Sequence, residues 1–267
     1  MISNIFSTVA NTTSLAWLLT TGAFTRPVSW EVLMHSGDPG QEGADNEIVA
    51  GDDPDYARQS ITFGAANTVG SEVRVINNIA VAWTPGTGAS YLVTHLSVRD
   101  ADNDECLVVL PLSYPETMTA GVQKQYDSGS LSITLVGFSS YAGEQILNLL
   151  FGTEAVSRPA ELWASLHTAS PGINGANELT VGIDPSYVRK SIVYDAPSFV
   201  QNGGVAALSP TVLSWTAGAD YDVVGLGVFD ASAPGGGNSL FSADLQTVLN
   251  MVNGSPNVGI LNPVYLI

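Results

Sequence analysis

The chain contains two copies of one sequence pattern, and this repeat limits its fold more than any other feature. The segment LMHSGDPG at residues 33–40 recurs as SLHTASPG at residues 165–172, a shift of 132 residues. The segment DPDYARQSI at 53–61 recurs as DPSYVRKSI at 184–192, a shift of 131. Matches that keep their order with so constant a shift indicate a duplication.

Shorter matches extend the repeat on both sides. Arg26-Pro27 recurs as Arg158-Pro159, and LSVRDA at 96–101 recurs as LGVFDA at 226–231. We therefore predict two domains, residues 1–138 (the first repeat) and residues 139–267 (the second repeat). Because no Pro/Ser-rich linker separates them, we expect two rigid neighbours rather than two tethered bodies.

A short helix is predicted to open each repeat. Residues 140–152 carry apolar side chains at helical spacing and end at Gly152, a residue type suited to a helix C-cap. Residues 13–22 have the same apolar stripe and end at Gly22.

The pattern then changes to an alternation of period two, which is typical of strands. Strands are predicted around Trp30, Val32 and Met34 and at residues 58–63, 73–83, 92–100, 107–112 and 131–136; in the second repeat they are predicted at residues 162–166, 189–194, 206–215, 223–230, 239–245 and 258–266. Pro-Gly turns follow at residues 38–40 and 170–172. The pattern predicts a mainly β fold of two tandem antiparallel β-sandwich domains, jelly-roll-like, each opened by a short helix.

The chain is strongly acidic, with a net charge of −17 and a pI near 4.1. Residues 1–138 carry 15 acidic and 5 basic side chains, and residues 139–267 carry 10 and 3. We expect no nucleic-acid partner, because phosphate binding needs clustered Lys and Arg. We also expect no membrane partner, since no run of about 18 apolar residues is present.

Two features bear on the cellular compartment. The single cysteine, Cys106, cannot form a disulfide within the chain, so stability must come from packing or from association. The first residues lack a basic segment followed by an apolar one, so we expect no signal peptide and assembly in a cytoplasm.

His35 and His167 recur at one position in both repeats and are therefore candidate catalytic residues. Each is predicted to end a strand just before a Pro-Gly turn, where an imidazole can hydrogen-bond a loop carbonyl, and catalysis would require a partnered base. No G-x-S-x-G motif is present, and Cys106 has no counterpart in the second repeat. We expect the two histidines to be structural, with no catalytic residue and no cofactor.

The acidic segment 38–55 offers carboxylates that a calcium ion could use. The second repeat keeps only Glu178 and Asp184 among those positions, and the spacing does not fit an EF-hand loop. We expect a solvated loop and no metal site, with calcium binding as the alternative.

An acid and a base recur together as Glu47 with Arg58 and as Glu178 with Arg189. An arginine can bind a carboxylate through two parallel hydrogen bonds. We expect each arginine to clamp a long loop onto the following strand.

Two aromatic residues and one loop have competing interpretations. Trp83 and Trp215 lie at matching strand ends and are expected in the core, with a sugar-binding platform as the alternative. The glycine-rich residues 233–238 open no helix and are expected to form a loop tip rather than a phosphate-binding loop.

The recurring segments resemble a small domain found in tail-fibre and virion structural proteins of tailed bacteriophages. The resemblance runs through residues 140–152, 162–172, 175–178, 187–189 and 223–231, and the first repeat follows the same pattern with departures. One departure is Thr20-Thr21, which shortens the first helix.

This resemblance implies a non-enzymatic structural protein on the exterior of a tailed phage particle, built in the host cytoplasm and then carried on the virion. Its implied partners are other virion proteins, namely capsid or tail subunits, and further copies of the chain, with a trimer as one form. A host surface glycan is a further candidate partner.

Several functions compete within this interpretation. A tail-fibre-type role and a head-decoration or cement role both suit a compact β module. Outside the structural class, a glycan-cleaving depolymerase would need paired carboxylates beside an aromatic groove, and a carbohydrate-binding adhesin would need an exposed aromatic platform.

Overall fold

We describe the fold from a computed structural model. The structure describes residues 5–19, 25–193, 199–202, 205–208 and 211–261.

The first repeat contains one helix and ten strands among these residues. In chain order they are β1 (Ile5–Phe6), α1 (Thr8–Leu19), β2 (Trp30–His35), β3 (Gln59–Ile61), β4 (Asn67–Val69), β5 (Glu72–Ile76), β6 (Val81–Trp83), β7 (Ser90–Asp100), β8 (Glu105–Thr119), β9 (Lys124–Tyr126) and β10 (Ser132–Leu135).

The second repeat follows the same plan within the described part of the chain. Its elements are α2 (Ser140–Phe151), β11 (Leu162–His167), β12 (Lys190–Ile192), β13 (Phe199–Asn202), β14 (Val205–Leu208), β15 (Thr211–Thr216), β16 (Tyr221–Phe229), β17 (Ser239–Met251) and β18 (Pro256–Leu261). The protein is mainly β, as the sequence predicts.

Each repeat has one main antiparallel sheet and smaller antiparallel ones. The main sheets have the strand orders β1-β8-β7-β2-β3 and β12-β11-β16-β17. The smaller sheets are β10-β5-β4 and β6-β9 in the first repeat, and β13-β14 and β15-β18 in the second. The pairs β2–β7 and β11–β16 are equivalent, so the main sheets repeat the same topology.

The core of the first repeat lies between its main sheet and its smaller sheets. Val32 and Met34 of β2 are fully buried, as are Val75 of β5 and Ile133 of β10. They belong to one apolar cluster that continues into the second repeat, and burial of this kind is the main source of stability.

The two helices join the repeats by exchange. α1 contacts β8 of its own repeat and β14 of the second, and α2 contacts β17 of its own repeat and the β4–β5 hairpin of the first. Strands β13–β14 are the equivalent of β4–β5, so each helix packs against the same hairpin of the other repeat. The sequence analysis placed each helix within its own domain and did not predict this arrangement.

The helix boundaries differ from the predicted ones. α1 begins at Thr8 rather than at residue 13, because the Ser7 hydroxyl oxygen accepts a hydrogen bond from the Ala10 N–H at 3.0 Å. Ser139 starts α2 in the same way, with the Ala142 N–H at 3.1 Å. The predicted end of the first helix at Thr20, Thr21 and Gly22 lies outside the described residues.

Gly152 does follow α2, but its backbone is extended, with φ −96° and ψ 170°, and not left-handed. The glycine is needed for space, because a Cβ atom there would lie 3.0 Å from the Cα of Asn148.

Some predicted strands are divided or extended in the structure. The predicted strand 73–83 is two strands, β5 and β6, because the Asn77 side chain donates hydrogen bonds to the carbonyls of Ile79 and Asp127 and interrupts the ladder. β8 and β17 are longer than predicted. The predicted strand residues 194, 209–210 and 262–266 lie outside the described part of the chain.

Both helices have 12 residues, whereas a bilayer span needs about 20. Within the described residues, no helix has the length and apolar character to cross a membrane.

Candidate functional site

A buried arginine connects three segments of the second repeat. The Arg189 Nε and Nη2 atoms donate to the two carboxylate oxygens of Glu178 at 2.7 and 2.6 Å. Its Nη1 donates to the carbonyl oxygens of Ala231 and Gly236, and its guanidinium lies 3.8 Å from the centre of the Phe229 ring. The arginine side chain is fully buried, so all of its polar contacts are made within the protein.

The glycine-rich loop takes part in this cluster. The backbone N–H of Gly235 donates to Glu178 Oε2 at 2.9 Å. Burial opposes ionisation of Glu178, but the hydrogen bonds from Arg189 and Gly235 outweigh it and lower the pKa of this carboxyl group. Residues 233–238 form a loop between β16 and β17 whose backbone holds a protein carboxylate.

The first repeat has an equivalent but more exposed pair. Arg58 Nε and Nη2 donate to the two carboxylate oxygens of Glu47, each at 2.9 Å, and Nη1 donates to Asp104 at 2.7 Å. The Arg58 side chain is 31% exposed, against 0% for Arg189. The structure thus brings together both predicted acid–base pairs; their role as loop clamps is a proposal that the Discussion turns into an experiment.

The two recurring histidines occupy equivalent buried positions at the ends of β2 and β11. His35 Nδ1 lies 2.9 Å from the Asp45 carbonyl oxygen, and Nε2 lies 2.8 Å from Ser97 Oγ. His167 Nδ1 lies 2.7 Å from the Ala176 carbonyl oxygen, and Nε2 lies 2.8 Å from Ser165 Oγ. Both rings have no exposed surface, and burial lowers the pKa of each.

This geometry holds the loops that follow the two strands. A neutral imidazole that donates from Nδ1 to a loop carbonyl and accepts at Nε2 has both ring nitrogens engaged. The turns themselves contain glycines in left-handed conformation, Gly40 with φ 69° and Gly172 with φ 57°, as the Pro-Gly pattern predicts.

The segment Asp-Pro-x-Tyr, present in both repeats, has a structural role that the sequence analysis missed. The Tyr56 hydroxyl oxygen accepts from the Met34 N–H at 3.0 Å, and Tyr187 accepts from the Leu166 N–H at 3.1 Å. The signal was visible, since this segment is the best conserved between the two repeats.

The aspartates that begin this segment are also buried. Asp53 accepts from the Gly86 N–H at 2.9 Å and from the Tyr91 hydroxyl at 3.0 Å. Burial opposes its ionisation, but these hydrogen bonds prevail and lower the pKa of Asp53; the pKa of Asp184 is lowered in the same way through Ser186 and Gly218. Within the described residues, which include all of segment 38–55, no group of three or more metal-binding side chains is placed to hold an ion.

The predicted core positions of the two tryptophans are confirmed. Trp83 is 4% exposed and Trp215 is 5% exposed. Their indole N–H groups donate to the carbonyl oxygens of Ala57 and Val188 at 2.8 and 2.9 Å. Neither ring is a surface platform.

The most extensive set of contacts between the repeats surrounds the end of α2. Arg26 donates to the carbonyl oxygens of Asn148, Gly152 and Glu154. The Trp30 indole N–H donates to the Leu150 carbonyl oxygen at 2.7 Å. The last four carbonyls of a helix have no partner within it, so the first repeat supplies the missing donors.

Side chains of α2 complete this interface. The Asn148 amide oxygen accepts from the Ala66 N–H at 2.9 Å, and Glu144 accepts from the Thr68 hydroxyl at 2.8 Å. The Phe151 ring lies 5.3 Å from Phe63 in an edge-to-face arrangement.

The sequence analysis assigned no role to Arg26, Trp30 or Asn148. The recurrence of Arg26-Pro27 as Arg158-Pro159 marked a position that both repeats keep, but periodicity within one repeat does not reveal a contact with the other.

The comparison with protein families agrees with the duplication. The family model described as Podophage GP4 fiber I protein gp80 matches the chain twice, at residues 5–134 and 137–257. No curated protein matches the sequence significantly. Because the two matches cover nearly the whole chain in tandem, the protein belongs to the Podophage GP4 fiber I protein gp80 family.

Proposed function

We propose that the chain is a non-enzymatic, tail-fibre-type structural subunit on the exterior of a tailed phage particle. Its partners in this proposal are other virion proteins, and it reaches the virion after assembly in the host cytoplasm. Membership of a phage fibre family supports a structural role; the place on the particle and the task there are the proposal.

The observation that carries the proposal is the exchange of α1 and α2. A pair of domains joined by a single connection would rotate against each other, because inter-domain interfaces within a chain are usually small. Here each helix is packed into the other repeat, and one apolar cluster runs through both. A rigid double module of this kind transmits force and fixes geometry, which a fibre or its attachment point requires.

The buried polar residues support a structural role over an enzymatic one. His35 and His167 have both ring nitrogens engaged and no exposed surface. General acid–base catalysis requires that a base reach the substrate proton directly or through one water, and these rings face the protein interior.

We further propose that the chain forms a homo-oligomer on the particle, with a trimer as the form expected by analogy. Mass photometry of the purified protein tests this part alone. A monomer across the concentration range would contradict it without affecting the structural role.

An epitope tag in an exposed turn tests the location. Val122 lies 59% exposed in the turn between β8 and β9, beside Gly121 at φ 70°, so a short insertion after Val122 should leave the core intact. Electron microscopy of particles labelled with anti-tag antibody should show label on the tail, and untagged particles provide the control. Label on the head would contradict the tail-fibre-type role in favour of decoration, and absence of the tag from purified particles would contradict a virion role.

A further inference from the structure

A cleft lies where the end of α1 meets the edge of the second repeat's main sheet. Its volume is about 710 Å³, which is within the usual range for binding sites. Its floor is formed by the buried side chains of Leu18 and Leu19 from α1, Leu162 from β11 and Ile192 from β12. These four side chains give the cleft an apolar floor.

The equivalent place in the first repeat is filled by aromatic rings. Leu162 corresponds to Trp30, and Leu19 corresponds to Phe151, each by the shift of 132. Trp30 and Phe151 are 4% and 0% exposed, and both pack against Phe63, at ring distances of 6.5 and 5.3 Å. Two large rings in one repeat are thus two leucines in the other, and the cleft lies beside the leucines.

The rim of the cleft carries hydrogen-bonding groups. The indole N–H of Trp163 donates to Glu161 Oε2 at 3.2 Å, and both residues line the cleft together with Arg158. Arg158 is the counterpart of Arg26, whose guanidinium binds backbone carbonyls at the end of α2. The rim therefore presents a carboxylate acceptor and a guanidinium donor above an apolar floor.

We propose that this cleft binds an aromatic side chain of another virion protein. The inference rests on the proposed virion role and names a contact surface for it. The first repeat shows what this architecture accommodates: rings seated on the apolar floor, with a donor such as the Trp30 N–H directed to a carbonyl oxygen. A partner Trp or Tyr would fill the floor and donate to Glu161, and Arg158 would lie near the partner's backbone.

The charge of the chain favours a different protein over a second copy as the occupant. A net charge of −17 makes two copies of the chain repel each other. The exposed Tyr114, at 82%, is the side chain through which a second copy would dock, and its contact is an outcome that the experiment below separates.

Site-specific photo-cross-linking on assembled particles tests the proposal. A diazirine-bearing amino acid replaces Val193, which lines the cleft and is 74% exposed. The matched control places the same amino acid at Thr62, the exposed equivalent of Val193 in the first repeat. After irradiation, we expect an adduct from position 193 to one other virion protein at a peptide that contains Trp, Tyr or Phe, with at least a ten-fold lower yield from position 62.

Filling the cleft provides the second arm. Leu162→Trp copies the residue of the first repeat and should reduce the adduct at least ten-fold, whereas Val122→Trp at a distant turn should not. An unchanged unfolding midpoint of Leu162→Trp shows that the variant is folded.

Three results would overturn the inference. They are an adduct to Tyr114 of a second copy, an adduct to polysaccharide instead of protein, and no adduct in particles that contain the chain by immunoblot. Particles that lack the chain altogether would overturn the proposed function as well, so the immunoblot distinguishes the two failures.

Discussion

Trp30 donates its indole N–H to the backbone carbonyl oxygen of Leu150 across 2.7 Å, although 120 positions separate the two residues. Trp30 belongs to the main sheet of the first repeat, and Leu150 belongs to the last turn of the helix that opens the second. The exchange of helices therefore depends on a specific polar contact as well as on apolar packing.

Removing this donor while keeping an aromatic ring measures the polar contribution. In Trp30→Phe the buried Leu150 carbonyl loses its partner, which should lower the free energy of unfolding by about 1–3 kcal/mol. Urea denaturation provides the measurement. Trp163→Phe, which removes a hydrogen bond to the exposed Glu161, is the control and should cost less than about 0.5 kcal/mol; equal losses in the two variants would contradict a role for Trp30 at the interface.

The two arginine clamps should differ in strength. Arg189→Ala leaves the carboxylate of Glu178 buried without its partner, a change that typically costs about 3–5 kcal/mol. Arg58→Ala removes a partly exposed pair and should cost about 1 kcal/mol. Limited proteolysis should cleave the loop at residues 168–183 much faster in Arg189→Ala. Unchanged cleavage there would show that Arg189 does not hold the loop.

Gly175 allows a close approach of its loop to the main sheet. Its φ is +69°, and an added Cβ atom would lie 2.5 Å from the Phe229 ring. Gly175→Ala should combine left-handed strain, about 1–2 kcal/mol, with overpacking of about 1–3 kcal/mol. Gly70→Ala has a φ of +65° and nothing within 4 Å, so it should show the strain alone. Thermal unfolding compares the two, and equal midpoints would contradict the steric explanation.

The stability of the fold should decrease as the pH falls below about 6.5, the ordinary pKa of histidine. Burial lowers the pKa of His35 and of His167 in the folded state, so the unfolded chain takes up these protons first. The stability is fully present above the unfolded pKa and is lost as the pH falls towards the folded values. Denaturation across this range measures the slope.

A double variant isolates the histidines. His35→Gln with His167→Gln should be less stable at neutral pH but nearly independent of pH between about 7.5 and 5.5, because glutamine does not titrate there. Below that range, protonation of Asp53, Asp184 and Glu178, whose folded pKa values are also lowered, should destabilise both proteins. A double variant that keeps the full slope would locate the titrating groups elsewhere.

The duplication carried most of what the sequence could predict. Residues kept at matching positions identified the strand ends at His35 and His167, the Pro-Gly turns and the paired Glu and Arg residues, because each of these depends on local chemistry. The core positions of Trp83 and Trp215 followed from the alternation along their strands.

The exchange of helices could not be predicted in this way. The apolar stripe of α2 shows that one face is buried but does not say against which hairpin, and the two repeats offer equivalent hairpins. The break after β5 was missed because it depends on the Asn77 side chain reaching Asp127, fifty positions away. The cleft beside Leu162 also depends on three-dimensional packing, although the change from Trp30 is visible in the aligned repeats.

Fluorine NMR of protein labelled with fluorotryptophan during urea unfolding tests the central claim most directly, since Trp83 reports on the first repeat and Trp215 on the second. If the exchanged helices make one interlocked body, both resonances should lose intensity at the same urea concentration, and Val75→Ala in the first repeat should shift both midpoints equally. Separate midpoints, with a Val75→Ala shift confined to Trp83, would show that the repeats are independent domains and would contradict the account.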